Sequence, residues 1–428
     1  SKMPWWQSCL CALRCTDPPS TILPRALNSQ HFAPYLADYA EPEARALLAG
    51  SSQTADVLGP ALERDDRWQG CLVVPAFDES LEALQQQIDA LAATQVLLIL
   101  VINAPQNASA EALARTQDLF RQVTAARHAH VIVVDRVSAP WRLNPKHGVG
   151  LARKIGTDLA LALIEQGRIR SPWILQTDAD VALPPTYTDL LHEVSPQIPS
   201  GVKIFPHTHF SGDPTLHFAA QLYDQHMDYY VAGLRAAGSP YAHHSLGSTI
   251  AVHAVTYAAI RGYPRRSAGE DFYLLNKARK IAPIEALAEP LLTIQARLSE
   301  RVPFGTGPAL RDIVATLQSD PSGGSYLSYH PKCFEALGSA IRALDHWAKE
   351  PAVTLDADIA QRLSTLGFDR FKKNLAKQPT TAAKRQQSVH DWFDGLKTLQ
   401  FIHGMQSTWP DCPLQRTLAQ SPEFSQSR

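Results

Sequence analysis

The stretch Val96-Leu97-Leu98-Ile99-Leu100-Val101-Ile102 is the longest unbroken apolar run in the chain, and it decides the fold class. It has the length of a buried strand and is far shorter than the roughly 18 residues that a membrane-spanning helix needs. Helical patterns over 81–93 and 109–125 enclose it, and the alternation continues with apolar runs at 71–74, 131–135 and 172–176. Short apolar strands separated by helices are typical of β-α-β units with both sheet faces covered. We therefore predict an α/β fold built on a mixed, mainly parallel sheet flanked by helices.

Three regions with different sequence patterns divide the chain. Residues 1–68 are rich in proline and hold two predicted helices, 35–40 and 43–48, so we expect a helical N-terminal extension. The alternating pattern occupies residues 69–308 and defines the central domain, whereas residues 309–428 are predicted to be helical. The second half of the central domain is predicted to contain helices near 186–194, 215–236, 254–261 and 270–280, and strands near 201–206 and 248–252.

The composition is that of a soluble globular protein. Of the 428 residues, 45% are hydrophobic and 19% are charged, unlike the composition of disordered chains. Forty Lys and Arg against 41 Asp and Glu leave a formal charge of −1, so we expect no nucleic-acid partner. The first residues match a signal peptide poorly and no apolar run could span a bilayer, which predicts a cytoplasmic protein without a transmembrane segment. Amphipathic helices leave peripheral contact with a membrane open.

Polar and turn-forming residues follow the predicted strands, at the edge of a parallel sheet where ligands bind. Residues 75–80, Pro-Ala-Phe-Asp-Glu-Ser, follow the first strand, Asn103 follows the second, and Asp178-Ala179-Asp180 follows the fourth. Neither the dinucleotide motif G-x-G-x-x-G nor the P-loop motif occurs in these turns. The edge therefore suits a nucleotide, but dinucleotide-dependent enzymes and P-loop NTPases lose their main support.

Asp178 and Asp180 are candidate metal ligands. If the backbone stays extended past the strand, both carboxylates point to the same side, and such a pair suits Mg²⁺ or Mn²⁺ with remaining ligands from water and phosphate. The alternative is a turn or a helix N-cap before Pro184-Pro185, since Asp is common in both. The position directly after a buried strand at the ligand edge favours the metal site.

Two further segments carry charged residues. Residues 146–156 open a predicted helix with Lys146 and Arg153 about two turns apart, and basic side chains with glycines at a helix start suit a diphosphate. A solvated basic helix start is the alternative. Gly269-Glu270-Asp271 begins another predicted helix, where a carboxylate is either ordinary capping or a general base that takes a proton from an acceptor hydroxyl.

Together these segments resemble the inverting, nucleotide-sugar-dependent glycosyltransferases of the GT-A fold, especially the family 2 group. The resemblance rests on the order, spacing and strand context of residues 73–80, 146–156, 178–180, 247–250, 261–264 and 269–271. It implies a GT-A fold and a metal-dependent, inverting transfer of a sugar, of hexosyltransferase type. The donor would be a nucleoside-diphosphate sugar, and the acceptor would carry a hydroxyl group.

The resemblance also implies a role for each candidate residue. Pro75, Phe77 and Glu79 would lie around the base and ribose, with Asn103 as a further nucleoside contact. Lys146 and Arg153 would lie near the diphosphate. Asp178 and Asp180 would bind Mg²⁺ or Mn²⁺, Asp178 would also contact the donor, and His330 would be a further metal ligand. Asp271 would be the general base, with Glu270 as the second choice.

Two more segments are candidates for substrate contacts. His243-His244 precedes the acceptor-side strand and either touches the acceptor or caps a loop. Arg297, Arg301 and residues 303–307 either form a mobile flap over the donor or belong to an ordinary loop.

Two departures from the family pattern affect which nucleotide and which kind of transfer we expect. Asn103-Ala104-Pro105 stands where many relatives carry an Asp-Asp-Gly-Ser turn, which leaves the nucleotide open. No Gln-x-x-Arg-Trp follows the acidic motif and no membrane-spanning run exists, so a non-processive enzyme is favoured. Retention of configuration stays open because the same fold serves retaining enzymes. The competing hypotheses are a nucleotidyltransferase, which would release pyrophosphate, and a non-catalytic nucleotide-sugar-binding scaffold.

Overall fold

The computed structural model describes residues 30, 32–50, 67–193, 201–299, 305–351, 356–377 and 380–420. Two short helices, α1 (Phe32–Asp38) and α2 (Pro42–Leu48), lie close to the predicted ones. Residues 1–29 and 51–66 of the predicted extension, and Arg301 and residues 303–304 of the predicted flap, lie outside the described residues. None of the described helices is long and apolar enough to cross a bilayer.

Seven strands of the described chain form the central sheet. They are β1 (Gly70–Ala76), β2 (Val96–Asn103), β3 (Val131–Arg136), β4 (Trp173–Gln176), β6 (Val202–Ile204), β8 (Ile250–His253) and β9 (Ile284–Ala286), in the order β3-β2-β1-β4-β8-β6-β9. The first four strands are parallel, β8 runs antiparallel to both β4 and β6, and β9 is parallel to β6. The predicted α/β class with a mixed, mainly parallel sheet is confirmed.

The central strands are apolar on both faces. Every residue of β2 is buried, and alternate side chains point to opposite sides of the sheet. Leu97 and Ile99 join one core cluster, whereas Leu98 and Leu100 join another. Because helices cover both clusters, the strand reads as a continuous apolar run in the sequence.

Helices connect and cover these strands. α3 (Leu81–Ala92) and α4 (Ala110–Ala126) are each capped by the hydroxyl of the preceding serine. α5 (Gly148–Glu165) is buried along most of its length, and a side chain at Gly156 would collide with Val73 of β1. Arg153 lies on the same helix, three residues before Gly156, and its side chain reaches the residues that follow β4.

A buried network ties the N-terminal helices to α5. The carboxylate of Asp158 is fully buried and accepts hydrogen bonds from the hydroxyls of Tyr35 (2.5 Å) and Tyr257 (2.7 Å). The backbone N–H of Glu41 donates to it at 2.7 Å, and Nζ of Lys154 lies 2.8 Å away. A buried carboxylate is tolerated when it is paired and hydrogen-bonded, so this network holds α1 and α2 on the central domain.

A second sheet consists of β5 (Val181–Ala182), β10 (Leu292–Gln295) and β7 (His207–Phe210), with β10 in the centre. These strands are 2 to 4 residues long, too short for an alternating pattern to identify them in the sequence. The helix predicted near 186–194 is a 3-10 helix over Pro185–His192.

The remaining helices agree with the predicted helical pattern. They are α6 (Pro214–Ala236), α7 (Ala254–Ala259), α8 (Glu270–Arg279), α9 (Thr306–Ser319), α10 (Pro331–Lys349), α11 (Ala357–Thr365), α12 (Phe368–Leu375), α13 (Ala382–Trp392), α14 (Gly395–Met405) and α15 (Leu414–Gln420). A two-stranded sheet of β11 (Leu327–Ser328) and β12 (Cys412–Pro413) lies among them. The predicted boundary at 308 falls inside α9, which packs on α6 through Leu310 and Ile313. The second half of α6 also packs in the core of the C-terminal helices, against Phe334.

Candidate active site

Arg153 joins three segments that are far apart in the sequence. Its Nη2 lies 2.6 Å from Oδ1 of Asp178, and its Nε donates to Oε1 of Glu270 at 3.0 Å. Its Nη1 donates to the carbonyl oxygen of Thr177 at 3.4 Å. Only 2% of Arg153 is exposed. The structure thus brings together α5, the end of β4 and the start of α8, the segments that the sequence assigns to the diphosphate, the metal and the base.

The loop before β8 packs against the Arg153 guanidinium. A Cβ added at Gly247 would lie 2.6 Å from Nη2 of Arg153, so any larger residue there would displace the guanidinium or the loop. The Thr177 hydroxyl donates to the carbonyl oxygen of Ser248 at 3.0 Å and fixes this loop to the end of β4. The sequence places Gly247 on the acceptor side, but it contains no signal for the contact with Arg153.

The charges of this site shift one another. Burial would lower the pKa of Arg153, but Asp178 and Glu270 raise it above its ordinary value. Burial and the nearby Asp271 raise the pKa of Glu270 to about 7, against the opposing effect of Arg153. Burial also raises the pKa of Asp271, although the backbone N–H groups of Phe272 and Gly247 donate to its carboxylate. Carboxylates with raised pKa values at one helix start are candidates for proton acceptors near neutral pH.

The Asp178-Ala179-Asp180 motif forms a turn after β4. The backbone N–H of Val181 donates to the carbonyl oxygen of Asp178 at 3.3 Å, and the Gln87 amide donates to the same oxygen at 2.7 Å. The Asp178 side chain is 38% exposed and that of Asp180 is 16% exposed. The motif does not form a helix N-cap, because the N-cap of the following 3-10 helix is Pro184.

Arg297, two residues after β10, forms a second arginine bridge. Its guanidinium donates two hydrogen bonds to the Glu79 carboxylate, at 2.7 and 2.6 Å, and its Nη2 lies 2.8 Å from Oδ2 of Asp180. Glu79, expected near the nucleoside, is therefore engaged by Arg297. The sequence indicates Arg297 only as part of a flap, since 218 positions separate it from Glu79.

Each aspartate of the D-x-D motif thus faces an arginine. Two carboxylates in one turn are a donor set that fits a hard divalent cation such as Mg²⁺ or Mn²⁺. Asp178 bonds to Arg153 through Oδ1, and its partly exposed side chain can still offer an oxygen to an ion. At Asp180 an ion would compete with Arg297.

The residues expected at the nucleoside lie at the predicted edge of the sheet and contact the protein itself. Pro75 is buried in β1, and Phe77 packs against the core. The Asn103 amide is buried and donates to the carbonyl oxygens of Ala76 (3.2 Å) and Val101 (3.1 Å), which ties the ends of β1 and β2 together.

The spacing of Lys146 and Arg153 in the sequence suggests that they share one helix face, but in the structure they do not. α5 begins at Gly148, so Lys146 precedes the helix, and its side chain is exposed. The role of Lys146 near a diphosphate stays a prediction.

The structure corrects the prediction that His330 completes the metal site of Asp178 and Asp180. His330 is the N-cap of α10, where its Nδ1 accepts from the backbone N–H of Lys332 at 3.2 Å. Its ring centre lies 5.5 Å from that of Trp409. In the described part of the chain, His330 forms no cluster of metal ligands with the two aspartates.

A cavity of about 150 Å³ is lined in part by Phe272 of α8, the residue that follows Asp271. Ser245 of the loop before β8 and Thr398 of α14 also line it. His226 of α6 also lines it, and its Nδ1 is buried without a hydrogen-bond partner among the described residues. The cavity therefore combines apolar walls with a polar atom that a ligand could satisfy.

The two histidines of the acceptor-side loop lie in different surroundings. His243 lines this cavity, whereas Nε2 of His244 lies 3.2 Å from Oδ1 of Asp228 on α6. Of these two candidate contacts to the acceptor substrate, His243 is therefore the one that lines the cavity.

No known protein family and no curated protein matches the chain. Among solved structures, residues 1–349 of TarS from S. aureus in complex with UDP-GlcNAc match at 11% identity and a TM-score of 0.36, over 79% of this chain and 92% of that one. The mannosyltransferase PcManGT from Pyrobaculum calidifontis, in complex with GDP-Man and Mn²⁺, matches at 15% identity and a TM-score of 0.32, over 89% of this chain and 97% of that one. TM-scores of this size do not establish a shared fold, so the functional assignment depends on the residues described above.

Proposed function

We propose that the chain is a non-processive glycosyltransferase that moves a sugar from a nucleoside-diphosphate sugar to a hydroxyl acceptor, with inversion. The observation that supports this most directly is the Arg153 bridge, which connects the first aspartate of the D-x-D motif to the acidic start of α8. A site for donor phosphates and a candidate proton acceptor thereby lie next to each other. A transferase needs both groups, whereas a binding scaffold needs no proton acceptor.

On the donor side, Asp178 and Asp180 would hold Mg²⁺ or Mn²⁺, which supplies positive charge to the leaving diphosphate. Arg297 would add positive charge next to the leaving diphosphate. Arg297 is 36% exposed, so donor phosphates can reach it. Because a guanidinium binds carboxylate and phosphate in the same two-pronged geometry, Arg297 can exchange Glu79 for a phosphate.

Arg297→Gln tests this exchange. Removing the guanidinium frees Asp180 for an ion, so Mn²⁺ alone should bind more tightly, whereas a nucleoside diphosphate at saturating Mn²⁺ should bind about tenfold more weakly, or about 1.4 kcal/mol. Calorimetry measures both affinities. Arg121→Gln is the matched control, because Arg121 forms an exposed ion pair with Asp118 of the same helix, α4, at 3.0 Å. If both affinities fell together in Arg297→Gln, competition at Asp180 would be wrong.

On the acceptor side, Asp271 is the proposed general base. Glu270 is 4% exposed and bonded to Arg153, whereas Asp271 is only partly buried and its neighbour Phe272 lines the cavity. Asp271 accepts the proton of the acceptor hydroxyl while that oxygen bonds to the anomeric carbon. The bond from this carbon to the diphosphate breaks at the same time, and the nucleoside diphosphate leaves with the electron pair. Glu270 acts as a positioning residue that holds Arg153.

The cavity lined by Phe272 would receive the part of the acceptor that carries the reacting hydroxyl. Its walls come from α6, α8, α14 and the loop before β8, so the C-terminal helices contribute to acceptor binding. The buried Nδ1 of His226 offers a hydrogen-bond partner to a second hydroxyl group, as donor or acceptor according to its tautomer.

The proposal is tested by incubating the chain with a panel of nucleotide sugars and hydroxyl acceptors, with Mn²⁺ or Mg²⁺, and measuring release of nucleoside diphosphate. Asp271→Asn should lower turnover by at least about 100-fold while nucleoside-diphosphate binding, measured by thermal shift, persists. The exposed Asp189→Asn is the matched control and should retain activity. NMR of the product should show the inverted anomer.

Three outcomes would contradict the proposal in different ways. Release of pyrophosphate from a nucleoside triphosphate would favour a nucleotidyltransferase. Tight donor binding without turnover of any acceptor would favour a scaffold. Full activity in Asp271→Asn would refute the assignment of the base while leaving the transfer reaction in place.

A further inference from the structure

A cluster of histidine and carboxylate side chains lies outside the proposed active site and has no part in the reaction above. His207 and His209 are two positions apart on β7, so they face the same side of the strand. Asp224 lies on α6, which packs against β7. One potential ligand atom from each residue lies within 4.8 Å of the others, and within the described ranges this is the one group of three such residues that meets this spacing.

Two members of the cluster are deeply buried and held in place. His209 is 2% exposed and Asp224 is 4% exposed. Nδ1 of His209 lies 2.6 Å from Oδ1 of Asp224, and the backbone N–H of His209 donates to Oδ2 of Asp224 at 2.9 Å. The Thr208 hydroxyl donates to the same Oδ2 at 3.3 Å. These bonds fix the orientation of the carboxylate and of the imidazole ring, as metal sites require of their ligands.

His207, the third member of the cluster, has a ring nitrogen without a partner in the described part of the chain. Its Nδ1 is buried and has no hydrogen-bond partner among the described residues. Its ring centre lies 5.6 Å from that of His209 and 5.0 Å from that of His244. A buried imidazole nitrogen without a hydrogen-bond partner is a candidate metal ligand.

We propose that His207, His209 and Asp224 bind one divalent transition-metal ion, and that Zn²⁺ fits best. Two imidazole nitrogens with one carboxylate favour such an ion over Mg²⁺, which prefers oxygen ligands. With Zn–N distances of about 2.0–2.1 Å, two imidazoles on a tetrahedral zinc have ring centres about 5 Å apart. The distance of 5.6 Å between these two rings is close to that arrangement. A plain hydrogen bond between His209 and Asp224 would leave the buried Nδ1 of His207 unexplained.

The position of this site indicates a structural task. β7 pairs with β10, and β10 pairs with β5, the strand that follows the D-x-D motif. Asp228, one turn after Asp224 on α6, lies 3.2 Å from His244 in the loop that leads to Gly247. A metal ion would lock β7 to α6 and so support both the D-x-D turn and the loop over Arg153. This inference does not depend on the proposed transfer reaction.

The test is titration of the chelator-treated full chain with Zn²⁺ alone, followed by calorimetry. We expect one Zn²⁺ in the wild type, the same affinity in Asp180→Asn, and an affinity at least about 100-fold lower in His207→Ala, because a direct ligand matters more than a supporting residue. His346→Ala, whose side chain is 60% exposed, is the matched histidine control and should bind like the wild type. Zn²⁺ should also raise the melting temperature of the wild type but not that of His207→Ala.

Two results would overturn the inference. The first is a wild-type chain that binds no Zn²⁺, a result that does not depend on any variant, or one that binds Zn²⁺ no more tightly than a folded His207→Ala. The second is Zn²⁺ binding that is lost in Asp180→Asn and retained in His207→Ala, which would place the ion at the D-x-D motif. Circular dichroism of His207→Ala establishes that loss of binding is not loss of the fold.

Discussion

Replacing Glu270 with glutamine tests the electrostatics of the site. Glu270 is 4% exposed, and burial together with Asp271 raises its pKa to about 7. Glutamine keeps the shape of the side chain and an oxygen that can accept the hydrogen bond from Nε of Arg153. Glutamine does not ionise, so Glu270→Gln removes the titrating carboxyl and keeps the hydrogen bond to Arg153.

The expected effect is a change in how stability depends on pH. The pKa of Glu270 is about 7 in the folded chain, against an ordinary value of 4.5. Folding therefore favours the protonated carboxyl, and this contribution is fully present below about pH 4.5 and is lost as the pH rises through about 7. The difference between the two pKa values corresponds to about 3 kcal/mol. Between about pH 4.5 and pH 8, the free energy of unfolding of Glu270→Gln should rise by about 3 kcal/mol relative to the wild type.

Urea unfolding at several pH values across this range measures the effect. Glu335→Gln, which replaces an exposed glutamate, is the matched control and should follow the wild-type curve. Parallel curves for the wild type and Glu270→Gln would refute the reasoning, because Glu270 would then titrate alike in the folded and unfolded chains. A difference that decreases with pH would mean that Arg153 outweighs burial.

Two further substitutions test the packing around the site. Gly247→Ala places a Cβ 2.6 Å from Nη2 of Arg153, and overpacking of this kind costs about 1–3 kcal/mol, so a lower melting temperature and weaker donor binding are expected. Tyr35→Phe removes the hydroxyl that donates to the buried carboxylate of Asp158 at 2.5 Å, which should cost about 1–3 kcal/mol in urea unfolding.

Matched controls separate these effects from general disturbance. A Cβ at Gly212 would meet nothing within 4 Å, and Tyr39 is 41% exposed, so Gly212→Ala and Tyr39→Phe should leave stability near that of the wild type. Equal losses in Gly212→Ala and Gly247→Ala would contradict the contact with Arg153. Equal losses in the two tyrosine variants would contradict the role of the buried network.

Much of the fold could be predicted from the sequence because burial leaves a local pattern. β2 is buried on both faces, so residues 96–102 are all apolar and identify it. β5, β7 and β10 are 2 to 4 residues long, and so few positions contain no recognisable period. The antiparallel direction of β8 depends on how the chain returns to the sheet, which the apolar pattern of the strand does not record.

The sequence predicts which segments form the candidate site, but not which of their side chains contact one another. A parallel sheet collects the residues that follow its strands, so the D-x-D motif was expected at the ligand edge. Arg153 was expected near a diphosphate, but in the structure it bridges Asp178 and Glu270, the latter 117 positions away. The roles of these residues in a reaction stay predictions until the variants are measured.

The sequence by itself determined the α/β class, the mainly parallel sheet and the set of segments that meet at one edge, because alternation of strands and helices is a local property. Only the tertiary structure decided the pairing of Arg297 with Glu79, the position of His330 as a helix cap, and the meeting of His209 with Asp224. Hydrogen bonds and ion pairs require the correct distance and direction between side chains. These depend on how whole helices and strands pack, which no single segment of the sequence encodes.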